Sequence, residues 1–399
     1  MAFDPQREDY QRLGLRFARS LDAKSPTEAT RAFATFGRRF ARERDSLPQS
    51  DGDRAFRLVA MAAKLIDYEL PFASDTEAES LIARGHQLLD EALSLDPRCF
   101  DARRMKAAAD CPSFEAFSAY LAEEAEEVRR TCTEERTRAL SGDETDERCA
   151  LAADIAMRPY LRWVATQAEQ ALICGRNRKA LRLAQVALEA DPRDAADVRF
   201  TATYAYSKLE DEQGLDALLS GAGAMRRLRP GNDAWSLLAR VALAHKRHDL
   251  HAARERLHDL MRGYPHAAEA LIRQIELPDG VFARLAVHPY SEDELILALS
   301  EGTVLLQEGR DPEGRGILGS WVSQEAAKTL PQSVLRMLAD QAESYARAAE
   351  ASAGPGPSQT QGPESPQDPS APRGPEPPQG PDVPQGPPQA NPHDGGGGR

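Results

Sequence analysis

Leu161–Pro192 reads LRWVATQAEQALICGRNRKALRLAQVALEADP and is the stretch of the chain that most clearly indicates its fold. Apolar and small residues recur at helical spacing on both sides of Gly175, which predicts two helices with a turn between them. Ala168 and Ala180 are small enough to let two helices cross closely. Pro192 ends the second helix, because a proline disfavours helical geometry at the residue before it. The stretch therefore predicts an antiparallel helical hairpin.

The spacing of this hairpin recurs in the chain. Ala253 and Pro265 are separated by the same interval as Ala180 and Pro192. Upstream, a run of leucine and alanine again leads into an Asp-Pro pair that ends at Pro97. The sequence has no alternating strand pattern of useful length. We therefore predict an all-α fold of antiparallel helical-hairpin repeats with helical N- and C-terminal flanks.

These positions resemble the tetratricopeptide repeat family, whose units of about 34 residues have small residues at the helix crossings and a terminal proline. The resemblance implies a solenoid in which the first helix of each unit lines a groove that binds peptides or proteins. The chain departs from the family where Val164, Gln167 and Ala171 replace its usual tryptophan, leucine and tyrosine. Leu81 to Glu308 also resembles a group of bacterial repeat proteins of unestablished function. Some of these end in a cysteine-rich SEC-C motif that this sequence lacks, so the resemblance implies no metal role.

The repeats divide the chain into five predicted regions. Three capping boxes mark helix starts, at Ser25 with Glu28, at Ser74 with Glu77 and at Ser291 with Glu294. The regions are an N-terminal helical region (1–73), a degenerate repeat with a long charged amphipathic helix (74–157), the repeat core (158–289), a C-terminal helical cap (290–351) and a disordered Pro/Gly-rich tail (352–399).

The predicted tail has the composition of a segment that cannot form a core. Half of the 28 prolines of the chain lie after Gly354. Such a composition favours disorder with polyproline-II character. The spacing of Pro375 and Pro378 leaves a recognition role open beside a passive solubilising one.

Composition limits the partners and the compartment. The net charge of −13 argues against non-specific binding to nucleic acid or to an anionic membrane. No apolar run approaches the roughly 20 residues of a membrane span, and the N-terminus lacks an apolar signal core. The five cysteines include no CxxC pair, so reduced structural thiols are expected. We expect a cytoplasmic protein with no nucleic-acid or membrane partner.

The register of the repeats predicts a groove on the first helices. Arg162, Arg199, Tyr206 and Trp235 are expected to project into it, with His245 at its margin. Arginine and large aromatic residues dominate binding hot spots, although Trp235 also fits a place in the core. The favoured function is a non-enzymatic scaffold or adaptor that binds a protein or peptide, without a cofactor. A regulatory domain that binds a signalling peptide or a small ligand is a further alternative.

A histidine cluster supports a rival interpretation. His245, His248, His251 and His258 lie close in sequence and suggest a metal-dependent regulator or an enzyme. Structural zinc sites usually need cysteine or a closed set of four ligands, and Asp249 is expected at a turn that separates the histidines. No GxSxG or HExxH sequence occurs in the chain. The sequence therefore predicts no metal ligands and no catalytic residues.

Overall fold

A computed structural model describes residues 4–70, 73, 75–141, 147–220, 232–277, 285, 287–310 and 316–352. Within these ranges every regular element is helical, which confirms the predicted all-α class. Residues up to Asp340 form one compact unit, and Gln341 begins a second unit. The predicted tail lies outside the described residues except for Ser352, which ends the last helix.

Seventeen α-helices lie in the described chain. The first eight are α1 (Pro5–Arg19), α2 (Pro26–Glu43), α3 (Asp51–Ala63), α4 (Asp75–Leu95), α5 (Phe100–Asp110), α6 (Phe114–Leu140), α7 (Glu147–Ile173) and α8 (Asn177–Ala190). The remaining nine are α9 (Val198–Lys208), α10 (Glu212–Ser220), α11 (Ala234–Lys246), α12 (Leu250–Gly263), α13 (Ala267–Ile272), α14 (Glu292–Glu301), α15 (Thr303–Leu306), α16 (Ile317–Ala327) and α17 (Gln332–Ser352).

The predicted hairpin at Gly175 is formed by α7 and α8. Gly175 has a φ of +70°, a left-handed conformation that glycine adopts without steric cost. Helix α8 ends at Ala190, just before the Asp-Pro pair, as the sequence predicts. Helix α12 likewise ends before Pro265. Helix α7 begins at Glu147, however, and so runs across the predicted region boundary at residue 158.

Helix α7 is the central helix of the N-terminal half. It packs against α6 on one side and α8 on another, and α5 and α1 also contact it. Every residue from 160 to 172 is buried as a result, including polar ones such as Thr166 and Gln170. Helix α8, in contrast, buries only one stripe, formed by Ala180, Ala184 and Ala187. First and second helices of the hairpin therefore differ in how much of their surface is covered.

Two of the three predicted capping boxes can be compared with the structure, and they differ, whereas Ser74 of the third lies outside the described residues. Ser25 and Glu28 form a complete box at the start of α2. Ser291 accepts the backbone N–H of Glu294 at 3.2 Å, but the carboxylate of Glu294 accepts from Tyr290 N and Tyr264 Oη instead of from Ser291 N. The box at Ser291 is therefore half formed, because Glu294 is drawn into the core.

Candidate functional site

The face of α9 and α11, where the groove was expected, is covered by a later part of the chain. Residues 292–308, which include α14 and α15, lie against these helices, and we call them the return segment. Tyr204 Oη donates to the carbonyl oxygen of Ala298 at 2.6 Å. Lys208 Nζ donates to the carbonyl oxygen of Val304 at 3.0 Å. These bonds fix the backbone of the return segment on the first helices.

Apolar burial holds the return segment more strongly than these hydrogen bonds do. Leu295, Leu299, Leu305 and Leu306 are each at most 1% exposed. Burying four leucines stabilises the contact by roughly 6–12 kcal/mol. This range is comparable to the whole stability of a typical domain, about 5–15 kcal/mol. The return segment therefore belongs to the core, and the face of α9 and α11 that it covers is not an open groove.

Trp235 and Arg199 are buried, which differs from their expected exposure. The ring of Trp235 stacks on Phe200 at a centroid distance of 3.9 Å, and its Nε1 donates to the buried carboxylate of Glu301 at 2.6 Å. The guanidinium carbon of Arg199 lies 4.2 Å from the centre of the Phe200 ring. The burial of Trp235 agrees with the alternative interpretation that it is a core residue. A partner-binding role for either residue remains a prediction.

Arg199 also belongs to a buried acidic turn before α9. Its Nη1 lies 3.6 Å from Asp194 and 3.7 Å from Asp197. Asp194 accepts the backbone N–H groups of Val198 and Arg199, so it caps the helix. Burial, and then the adjacent charge of Asp197, raises the pKa of Asp194 to about 6. The turn therefore supports the start of α9, and one of its residues, Asp194, titrates near pH 6.

Arg162 lies at the centre of a buried ion network. Its Nε and Nη2 bind the two carboxylate oxygens of Asp101 at 2.7 and 2.5 Å, and its Nη1 donates to Glu8 at 2.9 Å. Burial opposes ionisation of both carboxyls, but the combined action of the neighbouring arginines, Arg162 foremost, outweighs it and lowers the pKa of Glu8 and of Asp101. The network joins α1, α5 and α7, and we call it the α1–α5–α7 network.

Tyr206 and His245 are partly buried at the edge of the core. The imidazole of His245 lies 5.0 Å from the ring of Trp321, and burial lowers its pKa. Asp249 caps α12 between the second and third histidines of the predicted cluster. Across the described ranges, no three His, Cys, Asp or Glu side chains are arranged to hold a metal ion.

A concave site does form among the N-terminal helices. It is a cavity of about 940 Å³ between α1, α3, the α4–α5 loop, the end of α6 and the start of α7. Its volume lies within the usual range of ligand sites, about 300–1,000 Å³. We call it the arginine cavity. The charged residues that line it are Arg12, Arg16, Arg19, Arg98, Arg138, Asp53, Asp96, Asp101 and Glu135.

Two of the five arginines have partners in the fold. Arg16 Nε lies 2.5 Å from Asp53, and its Nη2 donates to Ser50 at 2.9 Å. Arg12 pairs with the buried Glu8 at 2.7 Å, and its guanidinium carbon lies 4.2 Å from the centre of a phenylalanine ring on α3. These two side chains therefore help to build the walls of the cavity.

The other three arginines have no carboxylate partner among the described residues. Arg19 on α1, Arg98 in the α4–α5 loop and Arg138 on α6 are exposed and form no ion pair within the part of the chain that the structure describes. The Oδ1 atom of Asp96 accepts the backbone N–H of Arg98 at 2.9 Å, which fixes the loop rather than the guanidinium. Three cationic groups on three elements therefore border one cavity.

Glu135 reports on the environment of these arginines. It lies on α6 close to Arg138, and its side chain is exposed. The protein walls nevertheless remove enough water to raise its pKa, although the charges of Arg12, Arg138 and Arg98 act in the opposite direction. Partial exclusion of water strengthens charge interactions relative to an open surface. At Glu135 the loss of water therefore outweighs the attraction of the surrounding arginines.

The α1–α5–α7 network fixes the geometry of the arginine cavity. Asp101 lines the cavity and is also bound by Arg162, and Arg12 shares Glu8 with Arg162. The cavity walls on α1, α5 and α7 are thus joined beneath the site. Of the predicted site residues, only Arg162 contributes to this arrangement, and it does so by positioning.

Comparisons with known proteins give no match for this chain among protein-family models, curated proteins or solved structures. None of the helices in the described part of the chain combines the length and apolarity that a membrane span requires.

Proposed function

We propose that the protein is a non-enzymatic, tetratricopeptide-like helical scaffold that binds a protein or peptide partner through a negatively charged segment in the arginine cavity. The observation that supports this most directly is the set of three exposed arginines, Arg19, Arg98 and Arg138, without ion pairs in the described chain. Arginine forks match carboxylate and phosphate groups in geometry as well as in charge.

The overall charge of the chain favours a selective interaction. At a net charge of −13 the protein repels anionic partners at long range. Inside the cell this repulsion is screened beyond about 8 Å, so a local cationic site still attracts a short acidic segment that comes close. The scaffold would therefore recognise a local sequence and not an acidic surface in general.

The side chains of the cavity support binding rather than catalysis. Burial raises the pKa of the thiols of Cys99 and Cys132, which both line the cavity, to about 12. A thiol of that pKa is protonated at neutral pH and is a poor nucleophile. No histidine is among the described residues that line the site. These two thiols are therefore poor candidates for a nucleophile, and Cys149 is the third cysteine of the lining.

Affinity capture with three baits tests the proposal. The baits are the wild type, R98Q/R138Q, and the matched control R38Q/R42Q. Arg38 and Arg42 are exposed on α2, outside the cavity, and form no ion pair in the described chain, so both double variants change the net charge equally. We expect partners from native lysate to be retained by the wild type and the control and lost with R98Q/R138Q.

The folding of each bait is checked by far-UV circular dichroism and thermal unfolding. Because all four arginines are exposed and unpaired in the described chain, we expect the melting temperatures to agree within a few degrees. Identical partner sets for all three baits would contradict a role of the cavity. Loss of the same partners with R38Q/R42Q would show that general charge, and not the site, is responsible.

A further inference from the structure

Helix α8 begins with an uncovered basic surface. Arg176, Arg178 and Arg182 are exposed and Lys179 is partly exposed, whereas the helix buries only its alanine stripe. These four cations form no ion pair within the part of the chain that the structure describes. Arg178 and Lys179 lie four and three positions before Arg182, so their Cβ atoms are about 5–6 Å from that of Arg182. We call the four residues the basic face.

The basic face is not neutralised by its own helix. Exposed arginines on α6 and α12 are paired one turn away, where Arg129 binds Glu126 and Arg262 binds Asp259. The cations of the basic face have no acidic residue three or four positions before or after any of them. Like charges at this spacing repel each other on a helix surface. The repulsion within the basic face is therefore not offset by α8.

The first turn of α8 is also an unfavourable place for cations. The N-terminal end of a helix carries partial positive charge, which disfavours a cation nearby. Arg178 and Lys179 nevertheless lie in this turn, which contains no acidic residue, and Arg176 at the N-cap position makes no side-chain capping bond. Departures from several local rules at one place are expected mainly at functional sites. An anionic partner would offset both the repulsion and the effect of the helix end.

Two acidic residues limit the charge of this surface. Glu115 on α6 acts on the thiol of Cys174, as do Arg176 and Lys179, so these groups lie near one another. Burial, and then Glu115, raises the pKa of this thiol, whereas the two cations act in the opposite direction. Glu189 is exposed at the far end of α8. Four cations against these two acids leave two positive charges in excess.

The dimensions of the basic face favour a short partner segment. From Arg176 to Arg182 it spans about 9 Å along the helix axis. This is the length of about three residues of extended chain. Val186, one turn beyond Arg182 on the same side, is an apolar residue with 43% of its surface exposed. A long polyanion such as a nucleic acid would extend beyond this face, and the net charge of −13 repels it.

We propose that the basic face of α8 binds a partner segment with two or three consecutive acidic residues, whose neighbouring apolar side chain contacts Val186. Recognition of acidic motifs by clusters of arginine is a recurring mode of peptide binding. None of the described residues that line the arginine cavity belongs to α8 or to the turn before it. The basic face is therefore a second binding surface, and this inference does not depend on the proposed function.

Peptide binding to the folded full-length protein tests the inference. The probe is a fluorescent peptide with Glu-Asp-Glu at its centre, followed by a leucine. Two comparison peptides replace the acids by Gln-Asn-Gln or the leucine by serine, and a single-stranded DNA oligonucleotide is the polyanion control. Fluorescence anisotropy at ionic strengths of about 0.01 and 0.15 M compares the wild type with three double variants. These are R178Q/R182Q, R38Q/R42Q and R98Q/R138Q.

The three double variants remove the same charge, and R38Q/R42Q matches R178Q/R182Q in the spacing of its arginines along one helix. We expect R178Q/R182Q to bind the acidic peptide at least about fivefold more weakly than the wild type, because two exposed ion pairs are lost. The other two variants should bind within about twofold of the wild type. Binding should weaken at the higher ionic strength, which screens exposed charges. Circular dichroism checks that every variant keeps its helicity.

Equal weakening by R38Q/R42Q would show that general charge is responsible and would overturn the inference. Equal binding of the Gln-Asn-Gln peptide, or absence of binding at both ionic strengths, would also overturn it. Loss of binding with R98Q/R138Q but not with R178Q/R182Q would overturn the basic face and assign the peptide to the arginine cavity. Tighter binding of the oligonucleotide than of the peptide would overturn a protein segment as the partner.

The contact with Val186 has its own test. We expect Val186→Thr, which keeps the shape of the side chain and adds a hydroxyl, to remove the preference of the protein for the leucine peptide over the serine peptide. The affinity of Val186→Thr for the serine peptide should equal that of the wild type. An unchanged preference for leucine would overturn the apolar part of the proposed contact.

Discussion

Arg162 binds both carboxylate oxygens of Asp101 through two of its nitrogens, at 2.7 and 2.5 Å, across 61 positions of sequence. Both side chains are buried, at 9% and 2% exposure. A buried pair of this kind is weak support for stability by itself, because desolvation offsets much of the attraction. Removing one partner, however, leaves an uncompensated charge in the interior. The pair therefore matters most for the fixed position of α5 against α7.

The first prediction concerns this pair. We expect Arg162→Met to lower the free energy of unfolding by about 3–5 kcal/mol, because Glu8 and Asp101 lose their common partner. Urea unfolding followed by circular dichroism measures the change. Arg182→Met, at an exposed residue of α8 without an ion pair in the described chain, is the control and should change stability by less than about 0.5 kcal/mol. Equal losses of stability for Arg162→Met and Arg182→Met would contradict a stabilising role of the α1–α5–α7 network.

The second prediction concerns the close approach of the return segment to α11. A Cβ atom on Gly302 would lie 2.5 Å from Leu238 Cδ2 and 2.8 Å from the carbonyl oxygen of Ala298. We expect Gly302→Ala to destabilise the protein by about 1–3 kcal/mol, as overpacked core substitutions do. Gly263→Ala on α12 is the matched control, because no atom lies within 4 Å of the added carbon. Thermal unfolding should show a lower melting temperature for the first variant only.

The third prediction concerns the anchor of Trp235. Trp235→Phe should preserve most of the stack on Phe200 but remove the hydrogen bond to the carboxylate of Glu301. We expect a loss of about 1–3 kcal/mol, because a buried acceptor loses a donor. Trp321→Phe tests the same chemical change at a partly exposed indole and should have the smaller effect. If urea unfolding showed a larger loss of stability for Trp321→Phe than for Trp235→Phe, the hydrogen bond from Trp235 to Glu301 would not be the stabilising contact.

The fourth prediction concerns pH. The pKa of Asp194 is about 6 in the folded chain and about 3.8 when unfolded, so the folded state binds the proton more tightly. Its contribution to stability is complete below pH 3.8 and is lost as the pH rises through 6. The slope from this one group is at most about 1.4 kcal/mol per pH unit. Asp194→Asn keeps an oxygen acceptor for the cap and removes the titration.

Urea unfolding of the wild type and of Asp194→Asn between pH 5 and 7.5 checks this sign. Other groups that titrate in the window contribute to both proteins, so the difference between the two curves isolates Asp194. We expect the wild type to lose stability relative to the variant as the pH rises. A constant difference across the window would contradict the raised pKa.

The sequence predicts the helical hairpins well because their signals are local. Gly175 needs a left-handed turn, and Pro192 and Pro265 stop helices at the positions expected. The burial of Arg162 and Arg199, and the choice between groove and core for Trp235, could not be predicted in this way. Repeat register gives the side of a helix on which a residue lies, but not what packs against that side. Here the return segment and the N-terminal helices cover it.

The arginine cavity has no local signal at all. Arg19, Arg98 and Arg138 are separated by long stretches of chain and line one cavity only because α1, α5 and α6 all pack against α7. In α7, Thr166, Gln167, Glu169 and Gln170 are polar residues that, from the pattern alone, indicate a solvent-exposed face. Their burial follows from the packing of other helices against α7, which the local sequence does not encode.

The distance in sequence between Glu8 and Arg162 also bears on how the protein is made. The two residues are 154 positions apart, and a ribosome adds about 5–20 residues per second. Roughly 8–30 s therefore separate the synthesis of Glu8 from that of its counter-ion. During this interval α1 has been synthesised, but Arg162, which pairs with the carboxylate of Glu8 in the folded protein, has not. The N-terminal helices would remain substrates for nascent-chain chaperones and proteases until α7 has left the exit tunnel.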